Sequence, residues 1–538
     1  MKILGVSCGF HDAAISLIDN GEILFAGHAE RYSKVKHDKE LNSKLLNNAL
    51  DYGYPDFVSY YENPWLKKTR QLYSGQYKEL FTEFSIKNKI AYHTGFNWNQ
   101  WGGQEGVYRT GFNYHKHHLS HAAAGFQTSP YYDATVVVID AIGEWDCITL
   151  WNAHYDGHGV AHYDKIWGAK YPNSIGLFYS AMTQKVGLQP LDEEYILMGM
   201  AAYGEPIYNR EILDRFWKTG GPQILRAKEN LHLGTDWHDV VFPEEMEEQD
   251  KYDIAASAQV TLEQIVMYIM TYAKQHGRSS NLVYMGGVAL NCVANSAIAR
   301  IWENVWIMPN PGDAGSSLGA AALTYGKKLN WEGPFLGYNI PGEYPDGEIL
   351  KELMSSRQIA GVANGRAEFG PRALGNRTLF ADPRGADIKD KVNEIKRRQK
   401  FRPFAPMILE EYADEYFDMP KTTRIVPDGP AQVHTQRGRQ LPINFDLISI
   451  GSPFMQFVAR CKKPEEFPAI VHADGTSRVQ TVGPHDNPNV RKLLNMWHYY
   501  TGCPMLLNTS LNIRGEPMVN DLADAKRFTK LYGVQVYT

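Results

Sequence analysis

Apolar residues along this chain fall into two patterns. Near the N-terminus, KILGVSC (residues 2–8), AAISLI (13–18) and ILFAGHAE (23–30) are short dense runs, broken by Gly9 to Asp12 and by Asp19-Asn20-Gly21. Short runs bounded by turn-forming residues predict three strands joined by tight turns. The same arrangement returns at ATVVVIDA (134–141), CITLWNA (147–153) and VAHYDKIW (160–167), with turns at IGEWD and at Asp156-Gly157-His158-Gly159. Two such units in one chain predict an internal duplication. Elsewhere the spacing is helical. Ile254, Ala258, Leu262, Ile265 and Ile269 form a stripe that predicts a helix over 253–276, stopped by Gly277. Ser174 is placed to cap the helix SIGLFYSAM, and Ala122-Ala123-Ala124 favours a helix after His117. The segment 41–94 is polar and mixed and reads as helical. Leu282–Tyr284 and Met505–Leu507 read as short strands, and GAAALTYG (319–326) as a helix.

Between these parts lies Gly333–Pro345, GPFLGYNIPGEYP, whose glycines and prolines mark a domain boundary. The expected domains are therefore 1–335 and 346–538. A length of 538 residues is consistent with two or more domains at about 150 residues each. The net charge of −5 gives no general attraction to nucleic acid or anionic membrane. Five scattered cysteines without a CxxC pair point to a reducing compartment. MKILGVSCGFHDAA is a short run interrupted by glycine, His11 and Asp12, so it reads as a strand and not a signal peptide. No apolar segment approaches the roughly 18 residues that span a bilayer. A cytoplasmic protein without membrane contact is expected.

Charge is locally uneven. From Arg366 to Arg402 there are eleven Lys/Arg against five Asp/Glu, a net +6 in an otherwise acidic chain. Several of these arginines sit beside proline or glycine, in Gly370-Pro371-Arg372, Gly375-Asn376-Arg377 and Phe401-Arg402-Pro403-Phe404. A guanidinium fixed in a turn is pre-organised to fork onto a phosphate or carboxylate. Asn508-Thr509-Ser510-Leu511-Asn512 follows a strand and offers closely spaced polar groups suited to a ribose or an adenylate.

The first half carries a different chemistry. His117 and His121 are spaced i, i+4, so on a helix they share a face and can hold one metal ion. The strand Thr135–Ile139 delivers Asp140 into a turn with Gly143 and Glu144, and Asp313 in PNPGDAG is placed to act as a fourth ligand. Gly286-Gly287-Val288-Ala289-Leu290-Asn291 is a strand-to-helix turn where backbone can approach an anion closely.

Together these motifs resemble a known family. GFHDAAISLI, HHLSHAAAGF, VVVIDAIGEW, MGGVALNC, PGDAGSSLGAA, EFGPRALGNRTLFADPR, KRRQKFRPFAP, HADGTSRVQTV and LLNTSLNIRGEP occur in the order found in ATP-dependent O-carbamoyltransferases of antibiotic tailoring and nodulation-factor synthesis. The resemblance implies an α/β fold. Its first part would be a duplicated actin-like domain, similar to the tRNA threonylcarbamoyl-transfer protein. Its second would be a smaller α/β domain similar to threonylcarbamoyl-adenylate synthase. It further implies that Lys396, Arg402, Arg478, Ser510 and Asn512, with Arg372 nearby, hold carbamoyl phosphate and ATP (with Mg) while carbamoyl-adenylate forms. His117, His121, Asp140 and Asp313 would ligate a divalent metal, iron first and manganese or zinc as alternatives. Asp12, Gly143, Glu144, Gly286, Gly287 and Asn291 would face the nucleotide and substrate. His11 would take the proton of the acceptor hydroxyl. The acceptor itself is left open between a natural product, a sugar and a hydroxymethylated nucleotide or DNA base. The negative net charge argues mildly against a nucleic-acid polymer. A homodimer is compatible with this reading. Ile196 is a departure, because lysine is usual at that position. A tRNA threonylcarbamoyl-type transferase is one alternative, and two other classes fit parts of the chain, an actin-like small-molecule kinase and a nucleotide-dependent scaffold. Neither uses the basic second region together with a His/Asp cluster.

Overall fold

The two predicted strand triplets open two sheets of one topology. In the computed structural model, which describes residues 1–78, 85–94, 111–218, 226–228, 231, 242–243, 245–385, 387–399, 402–420 and 451–538, β1 (Lys2–Ser7), β2 (Ala14–Asp19) and β3 (Glu22–His28) form an antiparallel meander. β4 (Phe57–Tyr60) joins β1 in parallel and β5 (Gly111–Tyr114) joins β4, giving the order β3-β2-β1-β4-β5. In the second sheet β6 (Asp133–Gly143), β7 (Asp146–Tyr155) and β8 (Ala161–Lys170) repeat the meander. β9 (Asn281–Met285) and β10 (Asn304–Trp306) then add in parallel on the β6 side. Both sheets thus have a meander followed by two parallel strands, which is the duplicated actin-like α/β architecture. β4 and β5 lie outside the sequence expectation. FVSY and GFNY are four residues each, too short for a period to show, and 41–94 also holds helices.

Two helices pack between the sheets. The helix α1 (His117–Thr128) and the helix α2 (Ser316–Tyr325) bury their alanines with Ile3, Ala14, Val136 and Val283 in one core. Their approach depends on missing side chains. A Cβ on Gly319 would lie 1.8 Å from the Ser120 carbonyl oxygen, and one on Gly5 would lie 1.9 Å from that of Ser317. The long helix α3 is Glu248–His276, and its predicted stripe of Ile254, Ala258, Leu262, Ile265 and Ile269 is buried with Phe178, Leu282 and Tyr284. Ser174 caps its helix as expected, accepting from the Leu177 N–H at 3.1 Å.

The C-terminal region has its own six-stranded mixed sheet. The order is Gln480–Val482, Ala405–Leu409, Met505–Ser510, Arg377–Ala381, Ile359–Ala363 and Val536–Tyr537. One core from Ile340 to Val536 supports it. Within the glycine- and proline-rich stretch, Phe335–Ile340 forms a strand that pairs with Gly365–Glu368. The C-terminal region is tied to both halves of the N-terminal part. Arg366 donates to the Leu24 carbonyl and buried Arg31 to that of Gly370, while Asn295 and Ser296 donate to the carbonyls of Gln456 and Val458. Among the described residues, no helix is long and apolar enough to cross a membrane.

The crossing of α1 and α2 sets where His117 and His121 sit. Gly319→Ala is expected to overpack it, at a cost of about 1–3 kcal/mol, and to lower Tm by several degrees in a thermal melt. Gly347→Ala, at a helical position with nothing within 4 Å of the added Cβ, is expected to leave Tm unchanged or slightly raised.

Candidate active site

α1 begins at His117, so its first two turns present His117 and His121 on one face, toward the C-terminal end of β6 and the start of α2. The two Nε2 atoms are 3.1 Å apart. Asp313 Oδ1 lies 3.3 Å from His117 Nε2 and 3.2 Å from His121 Nε2, and Asp140 Oδ2 lies 3.4 Å from His117 Nε2. One ligand atom from each of the four residues falls within 4.8 Å of all the others, and all four residues are buried. The outer atoms are held. The Pro311 carbonyl can only accept, so His121 Nδ1 (3.0 Å) donates to it and leaves Nε2 free for a ligand. Asp140 Oδ1 accepts from the Gly287 N–H at 3.0 Å, which turns Oδ2 inward. His117 Nδ1 faces Glu62 Oε2 at 3.7 Å.

Two buried carboxylates against two imidazoles form a donor set that can hold a divalent ion. Burial alone would raise both carboxyls. The coulombic attraction and hydrogen bonds of His117 and His121 overcome it and hold Asp140 and Asp313 below the usual range. His117 is pushed well up, because Asp313, Asp140 and Glu62 outweigh the burial that opposes its charge. Charge compensation is therefore what this cluster requires.

The strand β6 runs further than the sequence suggested. It continues past an irregularity after Ile139 to Gly143, so Asp140 sits on the strand, and the turn begins at Glu144, whose φ is 52°. Gly143 packs under the histidines; a Cβ there would be 2.3 Å from His117 Cδ2. Glu144 Oε1 accepts from the Asn63 N–H (2.5 Å), and Arg70 donates to its carbonyl. Gly143 and Glu144 thus brace His117 from behind and do not line the main cavity. Gly286 does not line it either. Its φ of 95° and a virtual Cβ 2.2 Å from the Ile139 carbonyl explain why glycine stands there.

That cavity has a volume of about 430 Å³ and is lined by residues from both parts of the chain. Its lining includes His11, Asp12, Asp140, Gly287, Asn291 and Asp313 from the N-terminal part and Arg372, Lys396, Arg402, Arg478, Ser510 and Asn512 from the C-terminal part; His117 and His121 stand behind Asp140 and Asp313 and do not line it. His11 Nδ1 donates to Asp12 Oδ2 at 3.0 Å, and its Nε2 lies 3.9 Å from Asp313 Oδ2. Burial opposes charge on His11, but Asp12, Asp313 and Asp140 together raise it to about 9. Asn291 lines the cavity while its side chain caps the next helix at Ala294 and pairs with Gln259.

At the basic end, Lys396 donates to the carbonyl and hydroxyl of Ser510 and to Asn512 Oδ1 (2.7 Å). Arg402 lies over the Tyr195 ring, 4.7 Å from its centroid, and Arg478 Nε is buried with no hydrogen-bond partner. Among the described residues no carboxylate pairs with Arg372, Lys396, Arg402 or Arg478. Burial, then repulsion by neighbouring cations, draws Arg372 and Lys396 down, Arg372 to about 9, and burial draws Arg402 and Arg478 down. Partly desolvated cations without counter-charges are an arrangement that could hold an anion. Sequence reasoning missed two members of this lining, Arg398 and Arg514. Arg398 stands in the quoted KRRQKFR and Arg514 in LLNTSLNIRGEP; the spacing there gave no reason to prefer one arginine over its neighbours. Arg377, read as a turn arginine open to an anion, instead donates to the carbonyls of Tyr338, Asn364, Gly365 and Asn520 and is fully buried. Ile196 packs in the apolar core. The nearby ammonium at the cavity is Lys36, 5.4 Å from the Tyr195 ring centroid.

Comparison with known proteins agrees over almost the whole chain. Residues 2–322 match the family description "Carbamoyltransferase N-terminus" and residues 351–538 match "Carbamoyltransferase C-terminus". The uncharacterized protein sll1178 of Synechocystis sp. is 31% identical, over 98% of this chain and 93% of its own length. The nodulation protein NolNO of Sinorhizobium fredii is 30% identical, over 96% of this chain and 76% of its own. Among solved structures, the activator of the 2-hydroxyisocaproyl-CoA dehydratase from Clostridium difficile with bound ADPNP aligns with 60% of this chain and 94% of its own, at 14% identity and a TM-score of 0.31.

Glu144 gives a prediction in pH. Burial raises its carboxyl from 4.5 to about 7. A carboxyl raised in the folded state leaves stability highest below its unfolded pKa and lowers it as pH rises through the folded one. Stability should therefore fall between about pH 4.5 and pH 7 on this account, by an amount on the order of 3 kcal/mol. Glu144→Gln is expected to flatten that segment of a urea-unfolding series and to be more stable than the parent at pH 7.5.

Proposed function

The chain belongs to the carbamoyltransferase family, and from that premise we propose that it is an ATP-dependent O-carbamoyltransferase with two chemical steps in two domains. The domain over 346–538, which we read as similar to threonylcarbamoyl-adenylate synthase, forms carbamoyl-adenylate from carbamoyl phosphate, ATP and water, releasing phosphate and pyrophosphate. The domain over 1–335 transfers the carbamoyl group to an acceptor hydroxyl and releases AMP. One observation carries this reading. A single cavity is lined both by cations that no carboxylate pairs among the described residues, Arg372, Lys396, Arg402 and Arg478, and by His11 with Asp140 and Asp313 of the His/Asp cluster. A kinase of the same fold would have no use for the basic end.

Carbamate is a poor electrophile until its oxygen carries a good leaving group, and AMP is one. Lys396, Arg402 and Arg478, with Arg372 beside them, bind the phosphates, Mg entering with ATP. Ser510 and Asn512 keep the Lys396 ammonium in place. Gly287 leaves room for the adenylate to approach the backbone. His117, His121, Asp140 and Asp313 would hold a divalent ion of the iron, manganese or zinc type, which when bound polarises the carbamoyl carbonyl and offsets the carboxylates beside His11. With a cation offsetting the pull of Asp313 and Asp140 that otherwise keeps His11 charged, His11, anchored through Nδ1 by Asp12, would take the acceptor hydroxyl proton at Nε2. The acceptor is a hydroxyl on a sugar or other small molecule. The five cysteines are free and buried, in keeping with a cytoplasmic setting.

The two ends should be separable. Arg402→Ala is expected to lose about 2–4 kcal/mol of anion stabilisation, so pyrophosphate release and product both fail. Chemically made carbamoyl-adenylate should restore product to this variant. Asp140→Asn is expected to keep pyrophosphate release, lose acceptor carbamoylation and gain nothing from added carbamoyl-adenylate. The assay uses a panel of methyl glycosides and a hydroxymethylated pyrimidine nucleotide, read by mass for one added carbamoyl group. Equal loss of pyrophosphate release in both variants would mean one composite site.

Elemental analysis checks the ion. About one divalent metal per chain is expected in the purified protein, and less than about a tenth of that in His121→Ala, because the other three donors cannot close the site. A wild-type protein free of metal after loading with Fe(II), Mn(II) and Zn(II) in turn would refute the ligand assignment.

A further inference from the structure

The transfer step assigned to His11 needs its Nε2 aimed at the acceptor, and the groups behind His11 extend beyond Asp12. Asp12 uses both carboxylate oxygens. Oδ2 accepts from His11 Nδ1 at 3.0 Å, and Oδ1 accepts from His37 Nδ1 at 2.7 Å. The far side of that second ring, His37 Nε2, donates to Asp192 Oδ1 at 2.8 Å, and Lys36 donates to the same oxygen at 2.7 Å. Carboxylates and imidazoles therefore alternate from Asp192 to His11. All of them line the cavity, so none is filling a core.

The backbone along this chain of contacts is strained. Asp12 has φ 49°, His37 has φ 54°, and Leu191, next to Asp192, has φ 64°. A residue other than glycine held in this region costs of order 1 kcal/mol or more, and such residues gather at functional sites. Burial opposes charge on His37, yet its hydrogen bonds to Asp12 and Asp192 raise it to about 10, so both ring nitrogens carry hydrogens to donate. A second metal on Asp12, Glu30 and His37 is the competing reading, since their ligand atoms also cluster. It is disfavoured because both His37 nitrogens already meet carboxylate oxygens and Lys36 already balances Asp192.

We propose that His37 and Asp192 are positioning residues for carbamoyl transfer: they clamp Asp12 from behind, so that Asp12 holds His11 with Nδ1–H toward itself and Nε2 free. The proposal rests on the reading of His11 as the proton acceptor. A carboxylate gripped at one oxygen can rotate about its side-chain bonds, and the ring it orients moves with it. Gripped at both oxygens, it fixes the ring. A carboxylate that orients a catalytic imidazole can be worth several orders of magnitude in kcat, so loosening it one step back should cost less.

The test uses the full-length, metal-loaded protein, chemically made carbamoyl-adenylate and the methyl glycoside that reacts best, or water as acceptor with AMP release as readout. His37→Gln and Asp192→Asn are each expected to lower kcat for transfer about 10–100-fold. Acceptor KM, pyrophosphate release, metal content and Tm should stay near wild type. The groups should also act as a unit, so His37→Gln added to Asp12→Asn should cause no further loss. The clamp is overturned if His37→Gln keeps kcat within about twofold while His11→Ala is inactive. It is also overturned if Tm, KM and pyrophosphate release decline with kcat, if the losses multiply in the double variant, or if His37→Gln sheds a second equivalent of metal. Should His11→Ala itself retain full kcat, the role of His11 fails and the clamp goes with it.

Discussion

Two carboxylates, Asp140 and Asp313, are buried a few ångströms apart, and the arrangement of the first half follows from that constraint. Buried like charges this close repel strongly and must be compensated. His117 and His121 supply that compensation, or supply the lone pairs of a metal site that does. To bring four side chains to one point, backbone has to pass where side chains would normally stand. Gly143 clears the His117 ring, Gly287 offers its N–H to Asp140, and Gly319 lets α2 approach the helix that carries the histidines. Glycine is used at these places because of the cluster, and the duplicated sheets bring the parts within reach.

The opposite imbalance sits across the same cavity. Lys396 is buried and Arg372, Arg402 and Arg478 are partly buried, with no carboxylate partners among the described residues. The acidic pair has His117 and His121 against it, whereas the cations keep a charge requirement that an anion could meet. A site organised for stability alone would not retain that requirement.

Much of this was legible from sequence where the signal is local. Asp19-Asn20-Gly21 and Asp156-Gly157-His158-Gly159 punctuate the strands directly, and the i, i+4 spacing of His117 and His121 is a property of one helix. The strand ends were less legible. β6 runs through Gly143 because an irregularity absorbs the turn residues, and β4 and β5 are too short to show a period. Residues whose role depends on distant partners could not be read at all. Arg377 looked like a free turn arginine until the carbonyls of Asn364 and Asn520 were seen around it. Glu62 pairs with Lys67 at 2.7 Å and faces His117 at 3.7 Å, and His37 bonds Asp12 and Asp192; none of these partners is readable from local spacing.

The segment from Asp192 to Tyr195 shows how such distant partners join the two ends. Asp192 meets His37 and Lys36, Glu193 accepts from Arg514 at 2.8 Å, and the Tyr195 ring lies under Arg402. Three of these four consecutive residues therefore touch the groups behind His11 or the arginines of the cavity, while Glu194 accepts from Ser180 and the Leu191 N–H. They open the helix Glu194–Met200, whose Ile196 and Leu197 are fixed in the apolar core, so the segment has a rigid base. Charge arriving at Arg402 or Arg514 competes with the contacts these arginines make to Tyr195 and Glu193. Ile196, fully buried, ties this segment to the apolar core of the N-terminal part, so contacts with residues from both parts of the cavity lining start from one anchored stretch.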